Sequence, residues 1–487
     1  MNKNVYQTII CETYNLDELS EQLLDFKKNI SKSGNLFLIT NNIYENNVIK
    51  NSFFDFIETA LEEGFQYINT IVFPVENNSS NLKQNIKYLL WFVNDMNSMY
   101  FDKDTIREKH IWKDVEWGKR KKNYNEKGKD PSNIWIPTID NGKGKITEHI
   151  ILSREELLNR CIISTSQKNE YILIYSNKKI NKNKLIKERN IELVLKNCIE
   201  NNNTLQSGYL TKENNKFKGA EVYFSTSESM KEIESNTVGL MVTSPPYWDL
   251  KNYFKEGQIG QESYQEYIER LNKVWTETYR VLNNNGSMWI NINTRTKNKK
   301  PILIPNDIIK ECKKIGFKLK DIIIWHKSSG IPTHKNNLVD KHEYFLWFIK
   351  SDEYFFNNDL VKEINYYKND FLNNGLIWNI NRKAGSVGKD FVHPAIYPTE
   401  LIDIVIKLTT NENDVVMDPF LGSGTSMIAS LRNNRNFIGY EFNEEFIDLI
   451  KFRVSQENID EKDICYNFNK NVKKENSKIF RKDLDNE

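Results

Sequence analysis

Cysteine is scarce in this chain. Cys11, Cys161, Cys198, Cys312 and Cys465 lie far apart, and no two have zinc-ligand spacing. That excludes a zinc module or a disulfide framework and fits reduced thiols in a cytoplasm. Histidine is nearly as sparse, at six residues. His326, His334, His342 and His393 share no metal-ligand spacing, so no metal site is expected and no metal-nuclease constellation is read. No apolar run is long enough to span a membrane, and no signal-peptide pattern opens the chain. Neither sign of charge dominates. Lys and Arg total 68 against 66 Asp and Glu, a net charge of +2. Any surface for a polyanion must therefore be local. What remains is 487 residues of ordinary apolar content, enough for two or three domains with a sizeable core. The abundance of Lys, Asn and Ile reads as a coding-genome bias and carries no function.

Internal self-similarity gives the organisation. Tyr88-Leu89-Leu90-Trp91-Phe92-Val93 matches Tyr344-Phe345-Leu346-Trp347-Phe348-Ile349. Gly64-Phe65 matches Gly316-Phe317, Asn133-Ile134-Trp135-Ile136 matches Leu376-Ile377-Trp378-Asn379, and Glu156-Leu157-Leu158 matches Glu400-Leu401-Ile402. Ser33-Gly34-Asn35-Leu36-Phe37-Leu38-Ile39 matches Asn285-Gly286-Ser287-Met288-Trp289-Ile290-Asn291. The order is kept throughout, which predicts an ancient duplication; an unrelated first domain with chance matches is the alternative. Residues 1–200 are expected to be a degenerate copy, 201–218 a polar linker, 219–462 the intact copy and 463–487 a charged tail. Strand and helix patterns alternate in the intact copy. Helices are expected over 267–282 and 308–314, and strands over 287–291, 319–325 and 343–349. The alternation predicts an α/β fold with a largely parallel sheet covered on both faces. The large aromatics Trp91 and Trp347 are read as core.

Two loops in the intact copy carry chemistry. The apolar run Val238-Gly239-Leu240-Met241-Val242 delivers Thr243-Ser244-Pro245-Pro246-Tyr247-Trp248 to a sheet edge. The strand Asp414-Val415-Val416-Met417 delivers Asp418-Pro419-Phe420-Leu421-Gly422-Ser423-Gly424-Thr425. Gly422 and Gly424 permit close approach of a ligand to the backbone, and Asp418 can accept from a cationic group. A further strand ends Gly439-Tyr440-Glu441, where a carboxylate can accept from both hydroxyls of a ribose. The bland readings are a Pro-Pro turn followed by core aromatics, and a solvated acid capping a helix. The strand, loop, helix, strand and acid in sequence weigh against them. In the first copy the corresponding segments are Ile9-Ile10-Cys11-Glu12-Thr13-Tyr14 and 171–178, and the second of these has no glycine.

The segment from Thr243 to Tyr247 resembles the (Ser/Thr)-Pro-Pro-Tyr motif, and that from Asp418 to Thr425 the Asp-Pro-Phe-x-Gly-Ser-Gly-Thr motif, of prokaryotic DNA amino-methyltransferases of the beta class. Gly260-Gln261-Glu262 with Tyr267, Arg280-Val281-Leu282 with Gly286, Trp325-His326-Lys327, and Trp378-Asn379-Ile380 with His393-Pro394-Ala395-Ile396-Tyr397-Pro398 are similar to further segments of that family. The resemblance covers roughly 220–455. It implies a Rossmann-like S-adenosylmethionine-dependent methyltransferase fold, expected here in two tandem copies with the first degenerate, acting on double-stranded DNA, with a cognate restriction endonuclease as a partner it could serve. Asp418, Pro419, Phe420, Gly422, Ser423, Gly424, Thr425 and Glu441 would hold the cofactor, with His393, Pro394, Tyr397 and Pro398 against its methionine portion. A serine rather than an aspartate before the two prolines implies cytosine N4 over adenine N6 as the target. One departure stands out. A Gly-Asp-Ser-like segment near the first strand is replaced by Phe224-Ser225-Thr226-Ser227-Glu228, so a hydroxyl, Glu228 or water must take the aspartate's place.

The chemistry such a site needs matches these residue types. The amine of cytosine or adenine is a poor nucleophile because its lone pair is delocalised into the ring. Acceptors for the amine hydrogens favour a pyramidal nitrogen. The hydroxyl of Ser244 and the carbonyl of Pro245 supply them, and Pro245 and Pro246 fix the backbone that presents them. Tyr247 offers a flat face for a base drawn from the duplex, and Trp248 is expected to extend it. Duplex contacts are expected from Lys327 and His334, and from the loop Trp117-Gly118-Lys119-Arg120-Lys121-Lys122-Asn123-Tyr124, where cations alternate with aromatics; a solvated loop is the bland reading. The alternatives are adenine N6 methylation, a catalytically silent DNA-binding specificity protein, and an RNA substrate.

Overall fold

A computed structural model describes residues 5–75, 86–108, 125–140, 146–195, 219–249, 256–327, 337–357, 360, 375–381, 386–387, 391–392, 397–457 and 459–468. The expected linker, the loop bearing Lys119, Arg120, Lys121 and Lys122, and His334, His393 and Pro394 lie outside them. The chain forms two compact units. The first comprises 1–204 and also takes in 296–302 and 329–342 from the second half, beyond the boundary expected from sequence. Among the described residues no helix is long and apolar enough to cross a membrane, and no group of three His, Cys, Asp or Glu could hold a metal ion.

The first unit is built on six strands: β1 (Tyr6–Glu12), β2 (Ile30–Thr40), β3 (Gln66–Pro74), β4 (Ile86–Val93), β5 (Tyr171–Ser176) and β6 (Asn190–Leu195). They lie in the order β6-β5-β1-β2-β4-β3. β1 runs parallel to β2 and β5, while β4 is antiparallel to β2 and β3. Helices α1 (Leu19–Asn29), α2 (Phe53–Glu62) and α3 (Arg154–Thr165) belong to this unit.

The main sheet of the second unit has nine strands among the described residues: β7 (Ala220–Phe224), β8 (Val238–Thr243), β9 (Leu282–Ile292), β10 (Lys318–His326), β11 (His342–Ile349), β12 (Ile377–Asn379), β13 (Val415–Asp418), β14 (Asn436–Tyr440) and β15 (Ile464–Phe468). Their order is β12-β10-β11-β9-β8-β13-β14-β7-β15. β15 pairs in parallel with β7, so 464–468 are sheet and not the start of the expected charged tail. Helices α4 (Tyr264–Val281), α5 (Ile304–Ile315), α6 (Thr399–Thr409), α7 (Thr425–Arg432) and α8 (Ile447–Ser455) complete it.

Six strands of the second sheet, β14-β13-β8-β9-β11-β10, repeat the order of the first. Finer detail repeats too. The β1–β2 register jumps between Tyr6↔Ile30 and Thr8↔Asn35, and the β8–β9 register jumps between Val238↔Leu282 and Leu240↔Ser287. Trp91 Nε1 donates to Asn35 Oδ1 at 2.9 Å, and Trp347 Nε1 donates to Ser287 Oγ at 3.2 Å. Both indoles are buried, as expected of core.

The elements follow from their residues. β8 is central and parallel, and its apolar side chains are buried on both faces of the sheet. Helix α4 starts where Ser263 and Glu266 form a reciprocal cap. Its buried Tyr267, Leu271, Val274, Trp275, Thr278 and Val281 fall on one stripe at helical spacing. It passes straight into β9 at Leu282, so 283–286, ahead of the strand expected from 287, are strand with a broken register.

Candidate active site

The strands β8 and β13 are neighbours and parallel, so both motif loops leave the same end of the sheet. A hydrogen bond joins them directly: Thr243 Oγ1 donates to Asp418 Oδ1 at 2.5 Å. Above the strand ends lies a cleft of about 890 Å³, its open mouth included. Ser244 and Pro246 from the first loop line it together with Pro419, Phe420, Gly422, Ser423 and Thr425 from the second. Glu441 at the end of β14 and Tyr397 before α6 line it as well. The cleft thus gathers residues separated by almost two hundred positions in the chain.

Each wall has an internal support. The carbonyl of Pro246 accepts from Tyr267 Oη at 2.9 Å, which ties the Pro-Pro loop to α4. Gly422 and Gly424 have φ of +53° and +80°, a left-handed backbone that side chains resist. Gly422 N donates to Glu441 Oε2 at 2.7 Å, and Asn443 N donates to Glu441 Oε1 at 2.7 Å. These two bonds hold the carboxylate at the wall of the cleft. Gly424 caps α7, and Pro398 caps α6. Arg453 on α8 donates to the Ser423 carbonyl at 2.8 Å and to Ser423 Oγ and Thr425 Oγ1 at 2.7 Å each. Burial lowers the pKa of this guanidinium from its usual value. Arg453 was not legible in the sequence, because nothing local to it forms a motif.

Three residues expected at the site are set differently from the exposed positions their expected roles imply. Asp418 is fully buried and is not among the residues lining the cleft. Its oxygens accept from Thr243 Oγ1, Phe420 N, Ser426 Oγ and Tyr397 Oη. With those donors in place the carboxylate ties the two loops together. Desolvation raises its pKa above the ordinary aspartate value, against the four hydrogen bonds. Trp248 turns inward instead of extending an aromatic wall. It is buried, donates from Nε1 to the Glu262 carbonyl at 2.8 Å and meets Tyr264 edge to face at 5.0 Å. Lys327 is not a free cation for phosphate. Its Nζ pairs with Glu343 Oε1 at 2.8 Å, with only 12% of its side chain exposed.

The remaining residues fall as follows. Pro245 is buried, and Tyr247 is half-buried with its Oη donating to Glu343 Oε2 at 3.2 Å. Of the substitutes considered for the missing aspartate, Ser225, Thr226 and Ser227 line the cleft. Glu228 instead forms an ion pair with Arg270 at 2.7 Å, which holds its pKa below the usual range despite burial. Gln258 and Arg270, also in the lining, were not anticipated from sequence.

The strand-end position in the first unit is built differently. Counting along the matched registers places Glu12 where the second unit has Ser244, and Ile174 where it has Asp418. Glu12 is buried and ion-paired with Arg154 of α3, and accepts from Asn177 N at 2.9 Å. Arg154 also donates to Ser176 Oγ at 2.5 Å and to Asn177 Oδ1 at 3.0 Å. A protein cation and a protein anion thus meet at the place where the second unit opens a cleft.

Comparison with known proteins agrees with this geometry. The profile of the DNA methylase family, whose members methylate N6 or N4 amino groups, matches residues 12–219 and 238–452. The Type II methyltransferase M.Cfr9I of Citrobacter freundii is 31% identical over 261 residues, covering 47% of this chain and 85% of that protein. M.MthZI of Methanothermobacter thermautotrophicus is 34% identical over 275 residues, covering 48% and 76%. Among solved structures, the cytosine-N4-specific PvuII DNA methyltransferase is 20% identical with a TM-score of 0.42, covering 50% of this chain and 90% of that one. M1.HpyAVI in complex with its cofactor is 23% identical with a TM-score of 0.35, covering 48% and 99%. The chain belongs to the N6/N4 DNA methylase family, and its cofactor is S-adenosylmethionine.

Proposed function

We propose that the second unit transfers a methyl group to the N4 amine of cytosine in double-stranded DNA. The observation that carries the reading is the shared cleft, lined at once by Ser244 and by Glu441. Ser244 Oγ and the Pro245 carbonyl accept from the two amine hydrogens, and the Tyr247 ring receives the everted base. Glu441, a carboxylate acceptor at the end of β14, suits the ribose hydroxyls of S-adenosylmethionine, while Phe420 and Gly422 line the approach. The bound cofactor supplies a methyl group on a positively charged sulfur. Where a Gly-Asp-Ser-like segment is replaced, the hydroxyls of Ser225, Thr226 and Ser227 supply polar contacts to the cofactor. A neutral hydroxyl at position 244 supports cytosine N4 over adenine N6.

Methylation of unmodified plasmid DNA, followed by digestion to nucleosides, tests the choice of base. N4-methyldeoxycytidine is the expected product, and N6-methyldeoxyadenosine would overturn it.

The first unit is the product of the same duplicated domain, inferred from its repeated strand order, register break and indole hydrogen bond. The Glu12–Arg154 pair leaves it without cofactor chemistry, and its role is to hold DNA. Such an enzyme serves a restriction-modification system, protecting the sites that a cognate endonuclease cuts.

A further inference from the structure

Tyr247 ends the Pro-Pro loop, and its hydroxyl reaches a side chain outside every sequence motif considered above. We propose that Glu343 is a positioning residue that sets the Tyr247 ring for the everted base. The inference rests on the reading of Ser244 to Tyr247 as the base-holding loop.

Glu343 is the second residue of β11, and Lys327 directly follows β10; the two strands are neighbours in the sheet. Oε2 accepts from Tyr247 Oη at 3.2 Å, and Oε1 pairs with Lys327 Nζ at 2.8 Å. Their side chains are 19% and 12% exposed, so the ion pair is largely shielded from solvent. Lys327 offsets the charge of Glu343 and fixes the orientation of its carboxylate. The other oxygen is then held toward the phenol. A phenol O–H lies in the plane of its ring. An acceptor anchored at one edge therefore selects both the direction of the ring axis and the tilt of its face. Tyr267, on α4, holds the neighbouring Pro246 carbonyl. The loop is thus fixed at its backbone by one tyrosine hydroxyl and at its ring by Glu343. Strand ends are rigid anchors, which suits a surface that must stack on a flat base within a few tenths of an ångström.

A double-mutant cycle on the full chain tests this. Tyr247→Phe, Glu343→Ala, their combination, and Glu343→Gln are compared in methyl transfer from tritiated S-adenosylmethionine to unmodified plasmid DNA. Tyr247→Phe and Glu343→Ala should each lower kcat/KM for DNA by on the order of tenfold. Cofactor affinity, read by calorimetry, should stay within about twofold of wild type. The double variant should be no worse than Glu343→Ala alone, because both changes remove one hydrogen bond. Glu343→Gln keeps an oxygen acceptor for the phenol and should retain most activity. Multiplying losses in the double variant would overturn the proposal, as would equal damage from Gln and Ala. Ser244→Ala is the control for the underlying reading. If it transfers methyl at the wild-type rate, the assignment of the loop fails whatever the cycle shows.

Discussion

Ser244 and Asp418 show how far a side chain's chemistry is fixed by its surroundings. Both stand at the ends of adjacent parallel strands, yet Ser244 lines the cleft while Asp418 is enclosed by four donors. Replacing Ser244 by Ala should therefore lower kcat by about 10²–10³, the usual cost of one preorganised polar contact to a reacting group. Cofactor affinity should be unchanged, because Glu441 and the 418–425 loop remain. Steady-state kinetics with calorimetry checks the split, and parallel loss of both quantities would make Ser244 a structural residue. The sequence disclosed Ser244, the prolines and Glu441 because each sits at a strand end beside turn-forming residues. The enclosure of Asp418 was hidden, since its partners Thr243 and Tyr397 lie on other segments. The same applies to Trp248. An aromatic after a Pro-Pro turn can face either way, and Glu262 and Tyr264 decide it from the next segment.

Elements were read well wherever one face is apolar at a fixed period. Helix α4 and strands β9, β10 and β11 were all anticipated, with ends displaced by a few residues. The capping pair Ser263 and Glu266 moves the start of α4 ahead of its first apolar residue. Strand β15 escaped because five residues beside a charged tail carry too short a pattern. Strand β10 holds a feature that periodicity would reject. Lys320 is 1% exposed, and burial pulls its pKa down to about 8, with Asp321 and Asp352 opposing. Its folded-state pKa is below the unfolded value of 10.5. Between about pH 8 and 10.5 the unfolded chain therefore binds more protons, and stability rises with pH across that window. The shift corresponds to a cost of roughly 3 kcal/mol, fully present below pH 8. Lys320→Met removes the titrating group. Relative to this variant, the wild type should gain in melting temperature between pH 7.5 and 10. Parallel melting curves for the two proteins would show that Lys320 keeps an ordinary pKa.

At the scale of the molecule, two sheets with one strand order differ where the second opens its cleft. The first unit shares with the second the buried indole, the register break and a helix after the strand that bears it. It has Glu12 and Ile174 in the registers of Ser244 and Asp418. Removing the Glu12–Arg154 pair would not restore the glycines that Tyr171–Ser176 and its following residues lack. Calorimetric titration with S-adenosylmethionine should accordingly give one site per chain, and a stoichiometry of two would make the first unit a cofactor domain. Its retention then calls for another task, and charge narrows the choice. A net charge of +2 gives the chain no general attraction for a polyanion, so DNA affinity must come from local cations. Lys327 is paired with Glu343, which removes one candidate from the second unit. Lys119, Arg120, Lys121 and Lys122 stand together in the first half between Trp117 and Tyr124. If each neutralises one phosphate, changing all four to Ala should make the slope of log K against log salt shallower by roughly 3 to 4. Affinity for duplex should fall most at low salt, while the stoichiometry and affinity for S-adenosylmethionine stay as in the wild type. An unchanged slope would show that the first unit's basic loop does not meet the duplex, and would leave the clamp without its cations.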